Sequence, residues 1–208
     1  MVEQVIHAGE TVEQVVVDAS LLDVRYVQEA GSTLRLHVLS FSSASNTIEV
    51  EHVGKGCRTE IYALAYIGGK DCVRTHTHVH HNIGNGSSEQ IVKFVLRDQA
   101  EGEFFGELKI AQDAQHTEAL QTNRNLLLSE QATMRTRPQL EIYADDVKAS
   151  HGATTGQLDE SALFYMQQRG LSPEQGRQLL LQAFMADIIN SISDEAQRDA
   201  LMQKIELL

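Results

Sequence analysis

The sequence has no tryptophan, two prolines and two cysteines in 208 residues, and its 17 Lys and Arg are outnumbered by 29 Asp and Glu. Each shortage excludes a class of protein. Cys57 and Cys72 are too few for a disulfide framework and lack the C-x-x-C spacing of zinc or redox sites, so both read as reduced, buried thiols. A net charge of −12 opposes attraction to phosphate backbones, and nucleic acid is not an expected partner. No apolar run approaches the roughly 18 residues that span a bilayer, so no membrane segment is expected. Met1 to Ala8 contain Glu3 and no basic stretch ahead of an apolar one, which does not read as a secretory signal and leaves a cytoplasmic location as the expectation. Gly-x-x-x-x-Gly-Lys-Ser/Thr, Gly-x-Gly-x-x-Gly and Gly-x-Ser-x-Gly are all missing, so any nucleotide hydrolysis must come from another chain.

What is present is a long succession of short segments with period-two alternation, from about Val12 to Val147, which predicts strands. Thr33–Val38, Thr47–Val53, Glu60–Tyr66 and Gln90–Val95 are the clearest. Periodicity admits both an antiparallel sandwich or barrel and a solenoid whose coils stack strand on strand. Hairpin chemistry is scarce, with Asn-Gly only at Asn85-Gly86, and this leans towards the solenoid.

Beyond His151 helical spacing replaces alternation. Asp159 predicts the N-cap of a first helix carrying Leu163 and Met166 or Gln167, and Gly170 its left-handed stop. Ser172-Pro173-Glu174-Gln175 supplies a capping box with proline in the first turn. The second helix then presents Leu180, Leu181, Phe184, Ile188 and Ile192 at spacings of three and four, a face to be buried on the β region or on a partner. Ser193-Asp194-Glu195 opens a third helix with Ala196, Ala200, Leu201 and Ile205 on one side. Residues 1–154 thus read as a β core and 155–208 as a small C-terminal helical region.

Three constellations bear on chemistry. In Thr75-His76-Thr77-His78-Val79-His80-His81, the alternate residues His76, His78 and His80 project from one face of a strand. With Glu89 they would suit a transition metal in a cupin-like oxygenase; the competing reading is a solvated or interface strand rich in histidine. His151 sits beside Gly152 where strands give way to helices, in an open position whose spacing alone favours an ordinary surface or corner histidine. Around Gln121-Thr122-Asn123-Arg124-Asn125, amide side chains suit ladders between coils, while Arg124, Arg135 and Arg137 could clamp a phosphate or carboxylate.

The strings Gln121-Thr122-Asn123-Arg124-Asn125-Leu126-Leu127-Leu128-Ser129, Pro138-Gln139-Leu140-Glu141-Ile142-Tyr143-Ala144-Asp145-Asp146-Val147-Lys148 and Ser150-His151-Gly152-Ala153-Thr154 closely resemble the SufB/SufD family, its SufD branch in particular. The match continues through Gly156-Gln157-Leu158-Asp159-Glu160 to Arg169-Gly170. The resemblance implies a right-handed parallel β-helix followed by C-terminal helices. It implies a non-catalytic scaffold of iron–sulfur cluster assembly that pairs with a SufB-like subunit and docks a SufC-like ABC-type ATPase. It assigns His151 to the interface where a cluster forms, as a candidate metal ligand, and the helical tail, with Leu180, Phe184 and Ile188, to ATPase docking. No tightly bound cofactor is expected in the isolated chain, only transient iron or an iron–sulfur cluster in the complex, and the same open edge could pair with itself in a homodimer. Ala149 stands where this branch often has cysteine, so no thiolate accompanies His151. Family members are longer at the N-terminus, where a helical region precedes the β-helix.

Overall fold

A computed structural model describes residues 1–206, which form twelve strands followed by three helices. Alternate strands go to alternate sheets. The odd sheet runs β1 (Val2–Ile6), β3 (Leu21–Gln28), β5 (Ala44–His52), β7 (Cys72–His81), β9 (Glu101–Ile110), β11 (Thr133–Ile142). The even sheet runs β2 (Thr11–Val17), β4 (Thr33–Ser40), β6 (Arg58–Ile67), β8 (Ser87–Leu96), β10 (Thr117–Leu127), β12 (Val147–Gly156). Every pairing is parallel, which makes the β region a solenoid and excludes the antiparallel alternatives. Strands extend beyond the expected limits at both ends. In β1 and β12 most residues are exposed, so neither end shows the apolar alternation that marks a half-buried strand.

The coil lengthens along the chain. Thr11 lies beside Thr33, 22 positions on, whereas Glu101 lies beside Thr133, 32 positions on. A parallel coil needs corners that repeat in register, and one column of them is left-handed: Gly9, Gly31, Gly56, Asn85 and His116 all have φ between 60° and 72°. Their spacings follow the register of the even sheet, so the corners stack. Gly9 N–H donates to Ala30 O at 2.9 Å, Gly31 N–H to Lys55 O at 2.8 Å and Asn85 N–H to Gln115 O at 2.9 Å. This is the turn chemistry that the dearth of hairpin signals left unassigned. Glycine, or a side chain that tolerates positive φ, recurs once per coil instead of once per hairpin.

Between the sheets lies an apolar core in which Tyr26, Leu34, Ile48, Ile61, Val79, Phe94, Phe104 and Leu108 are fully buried. A second core covers the outside of the even sheet, where Leu39, Tyr62, Leu64, Tyr66 and Val95 meet Met185, Ile188, Ile189, Ile192, Leu201 and Ile205 of the tail. Strand β6 is therefore apolar on both faces, one turned into the solenoid and one under helices. The tail comprises α1 (Glu160–Gln168), α2 (Pro173–Asn190) and α3 (Glu195–Glu206). Its caps are as the sequence predicts. Asp159 accepts from Ser161 N–H and Ala162 N–H, Ser172 and Gln175 complete a capping box, and Gly170 has φ of 93°. Leu163, Leu201 and Ile205 are buried, but Ala196 and Ala200 are exposed, because α3 meets the sheet along a narrower stripe than expected. Among the described residues no helix is long and apolar enough to cross a membrane.

Cys57 is buried, its Sγ within reach of Glu29 O at 3.1 Å and Gly54 O at 3.2 Å for the single S–H to donate to. Cys72 is only half-buried, since it opens strand β7 at a corner. Beside Cys57 the strand parity that turns His76, His78 and His80 outward turns His81 inward, next to His52 at a ring separation of 4.3 Å. Each donates or accepts one bond through Nε2, His52 with Thr59 and His81 with Ser88, both at 2.8 Å. Burial, then the charge of His80, lowers the His81 pKa to about 4, and burial, then His81, lowers that of His52.

Two outcomes follow from this architecture. A Cβ at Gly31 meets nothing within 4 Å, so Gly31→Ala should cost only the left-handed backbone penalty of about 1–2 kcal/mol, read as a shift of the urea midpoint at unchanged slope. His81 stays neutral in the folded chain down to about pH 4 whereas an unfolded imidazole protonates near 6.5, so the unfolded chain binds more protons between those values. The His81 contribution to stability should be full above pH 6.5 and fall by roughly 3 kcal/mol as pH drops to 4, a loss that His81→Gln should remove from urea melts across that range.

Candidate functional site

The C-terminal end of the solenoid is built from backbone that has run out of partners. β12 pairs with β10 on one side and β11 with β9, and among the described residues neither has a neighbour on the other. From His151 to Gly156 strand β12 is exposed, and a Cβ at Gly152 would meet nothing within 4 Å. His151 stands on this edge in register with Gln121 of β10, which itself stands in register with Gln90 of β8. The column carries polar groups from the interior of the coil out to the open end. Gln90 accepts from Thr77 at 2.7 Å, but Gln121 is fully buried with neither amide atom hydrogen-bonded. Gly106 leaves the room that the Gln121 amide occupies, since a Cβ there would come within 2.2 Å of it. Ala149, two residues before His151, packs on the apolar core, so a small side chain serves packing at that position.

The neighbouring amides are architectural, as expected from their types. Asn123 donates to Val92 O at 3.1 Å and to Asn125 at 3.0 Å, Asn125 donates back at 2.7 Å and also reaches Thr154 O at 3.1 Å, and Thr136 donates to Asn123 at 2.9 Å. They tie β8, β10, β11 and β12 together across the last coils. The three arginines do not converge: Arg124 is on the even sheet, while Arg135 and Arg137 are on β11 of the odd sheet.

The histidine strand lies elsewhere. β7 is an interior strand of the odd sheet, and His76, His78 and His80 are half-buried on the sheet's outer face. Parallel pairing with β9 sets Glu107 beside His78, and one carboxylate oxygen accepts from His78 Nδ1–H at 2.8 Å and from His80 Nε2–H at 3.4 Å. The His78 hydrogen bond, opposed by partial burial and helped by His80, holds the Glu107 carboxyl below the usual range. His76 turns away to Glu103 at 2.8 Å. Glu89, the expected fourth ligand, is on β8 in the opposite sheet, because 13 residues separate it from His76 where a coil returns only after about 29. The carboxylate that meets the histidines is one full coil ahead, at Glu107, a position no local motif marks. A cupin places its ligands inside a barrel; here they sit on the outside of a sheet, beside an open groove bordered by Phe105, Arg135 and Arg137.

The third predicted surface was the apolar face of the second helix. Ile188 is fully buried against the even sheet of its own chain, and Phe184 is half-buried in the same layer. Leu180 is half-buried at the margin. Lys93 of β8 fastens this helix, its buried ammonium donating to both oxygens of Asp187 and to Phe184 O at 2.6 Å each. Further bonds join His37 to Ser191 at 2.9 Å and Lys204 to Asp18 at 2.6 Å. The face that carries Ile188 therefore packs within the chain. Among the described residues of the tail, the large apolar side chains left outward are Phe164, Tyr165 and Leu179, each 46% exposed or more.

Known proteins match both halves of this architecture. The family model described as SUF system FeS cluster assembly, SufBD core domain, matches residues 13–184, from β2 into α2. The iron–sulfur cluster assembly protein SufD of Escherichia coli (strain K12) is 36% identical over 152 residues, 73% of this chain and 36% of that protein. A SufBD family protein of Synechocystis is 37% identical over 147 residues, covering 71% and 32% of the two chains, and protein ABCI7, chloroplastic, of Arabidopsis thaliana is 32% identical over 175 residues, covering 83% and 37%. The chain thus spans about a third of the length of the relatives it matches. With a matching family model over most of its length and the stacked coils to accommodate it, the chain belongs to the SufBD core family of the SUF iron–sulfur cluster assembly system.

Proposed function

We propose that this chain is a non-catalytic scaffold of iron–sulfur cluster assembly whose C-terminal β edge pairs with a SufB-like subunit. The observation that carries the reading is His151, exposed on β12 at an end of the solenoid where, among the described residues, β11 and β12 each offer an unpaired row of backbone groups. An open strand row is completed by another chain's strand, and the pairing needs no pocket, only matching register. A second copy could use the same row when the SufB-like partner is missing, giving a homodimer.

His151 would then be shared between two chains. Its imidazole can ligate iron or carry a proton as iron and sulfide, the cargo of the complex, are joined, while Ala149 contributes no thiolate. The further ligands come from the partner. A SufC-like ATPase would dock on the tail from its outward side, with Leu180 at the margin and Leu179 and Phe164 exposed, since Phe184 and Ile188 bind the tail to the even sheet. That attachment gives docking a mechanical consequence. Load on α2 reaches β8 through Asp187 and Lys93, two strands from the edge that carries His151. An ATPase whose nucleotide state changes its relative affinity for the open and the closed form would thereby shift the population of the two edges.

His151→Ala should leave the urea midpoint of the chain within about 0.5 kcal/mol of the parent, as for other exposed sites, and abolish cluster formation when the chain is co-expressed with its SufB-like and SufC-like partners. Normal cluster loading in that variant would remove His151 from the mechanism. Co-purification separates the docking claim: Phe164→Glu with Leu179→Glu should lose the ATPase while retaining the SufB-like subunit, and loss of neither would place docking elsewhere.

A further inference from the structure

The histidine strand is not used by the scaffold reading, and its geometry is that of a ligand set. One donor atom from each of His78, His80 and Glu107 lies within 4.8 Å of the others. All three are partly buried, with side-chain exposures of 27%, 31% and 17%, so a shared ligand would be approached from one side only. Two imidazoles at i and i+2 with a carboxylate from the adjacent strand form a facial set of three, with the remaining positions turned to solvent. Such a set suits a divalent first-row transition ion better than Ca²⁺ or Mg²⁺, which prefer oxygen ligands throughout.

We infer that His78, His80 and Glu107 form a binding site for a divalent transition ion of the Zn²⁺ or Fe²⁺ class on the outer face of the odd sheet. The backbone that holds the three is rigid, because β7 is hydrogen-bonded to β5 and β9 along its whole length. The ring of Phe105 leans on His78 at 5.3 Å and is itself covered by the Arg137 guanidinium at 4.5 Å, which restricts the imidazole to the side facing Glu107. Glu107 already draws both rings to one oxygen, so the ion would replace two N–H donations with two nitrogen lone pairs and keep the carboxylate as the third ligand. His76 is bound to Glu103 and takes no part. Glu49 flanks His78 on β5, in register on the same face, and adds negative charge near the ion.

The site is separate from His151, which lies on the opposite sheet at the solenoid's end, and it stands or falls independently of the scaffold reading. Titration of the purified chain with Co²⁺, followed by visible ligand-field absorption, should show one saturable equivalent that Zn²⁺ displaces. Combining His78→Ala with His80→Ala should abolish the signal, and Glu107→Gln should weaken binding by about tenfold or more, in keeping with what lost ligand support costs a metal site. His76→Ala should leave affinity and spectrum unchanged. No saturable binding by the parent chain, unchanged binding by the double variant, or equal loss with His76→Ala would each overturn the site. Far-ultraviolet circular dichroism of every variant, compared with the parent, confirms that a loss of signal is not a loss of fold.

Discussion

Every coil of this protein is held to the next by a parallel backbone ladder, and the remaining features follow from keeping that ladder in register. A one-residue slip would exchange inward and outward side chains along a whole strand, so both the corners and the side-chain parity must repeat with each coil. The left-handed column from Gly9 to His116 meets the first requirement. The second is visible in β7, where Val79 enters the apolar core between His78 and His80. Because each coil contacts only its neighbours, residues a coil apart, such as His78 and Glu107, become side-by-side partners while nearer ones such as Glu89 are on the far side.

The ladder also dictates where the molecule is open. A stack of coils has two faces and two ends. The tail covers the even face with an apolar layer, fastened by the buried Lys93 ammonium on Asp187. That burial is stabilising only because the charge is met by a carboxylate and a carbonyl; an unpaired ammonium there would be costly. The odd face is left to half-buried charged and imidazole side chains, and the ends, among the described residues, to unpaired backbone, with His151 exposed at the C-terminal one. Its functions are accordingly proposed at two places, the C-terminal end for pairing with another chain and the odd face for an ion.

Polar residues inside the last coils belong to the same design. Asn123, Asn125 and Thr136 satisfy one another and the strands around them, which pins adjacent coils at the end where apolar filling thins out. Gln121 departs from this pattern, being buried with no hydrogen bond and one coil below His151. An unsatisfied buried amide costs about 1–3 kcal/mol, so Gln121 gives up stability in the coil next to the edge that carries His151.

The alternation from Val12 onward, the capping residues Asp159 and Ser172, the Gly170 stop and the outward parity of His76, His78 and His80 were all legible in the sequence, because each is a local relation among residues a few positions apart. The family strings around Ser150-His151-Gly152 were legible in the same way. The sequence by itself therefore determined a strand-rich region, a three-helix tail and an imidazole row, while the family strings implied that the strands stack as a parallel β-helix. Only the tertiary structure decided which strands share a sheet, that Glu107 and not Glu89 meets the histidines, and that Ile188 is occupied by its own chain's β6 and β8 neighbourhood. The physical reason is the coil length. It varies from 22 to 32 residues, is set by stacked corners and not by any short motif, and decides which distant residues become neighbours.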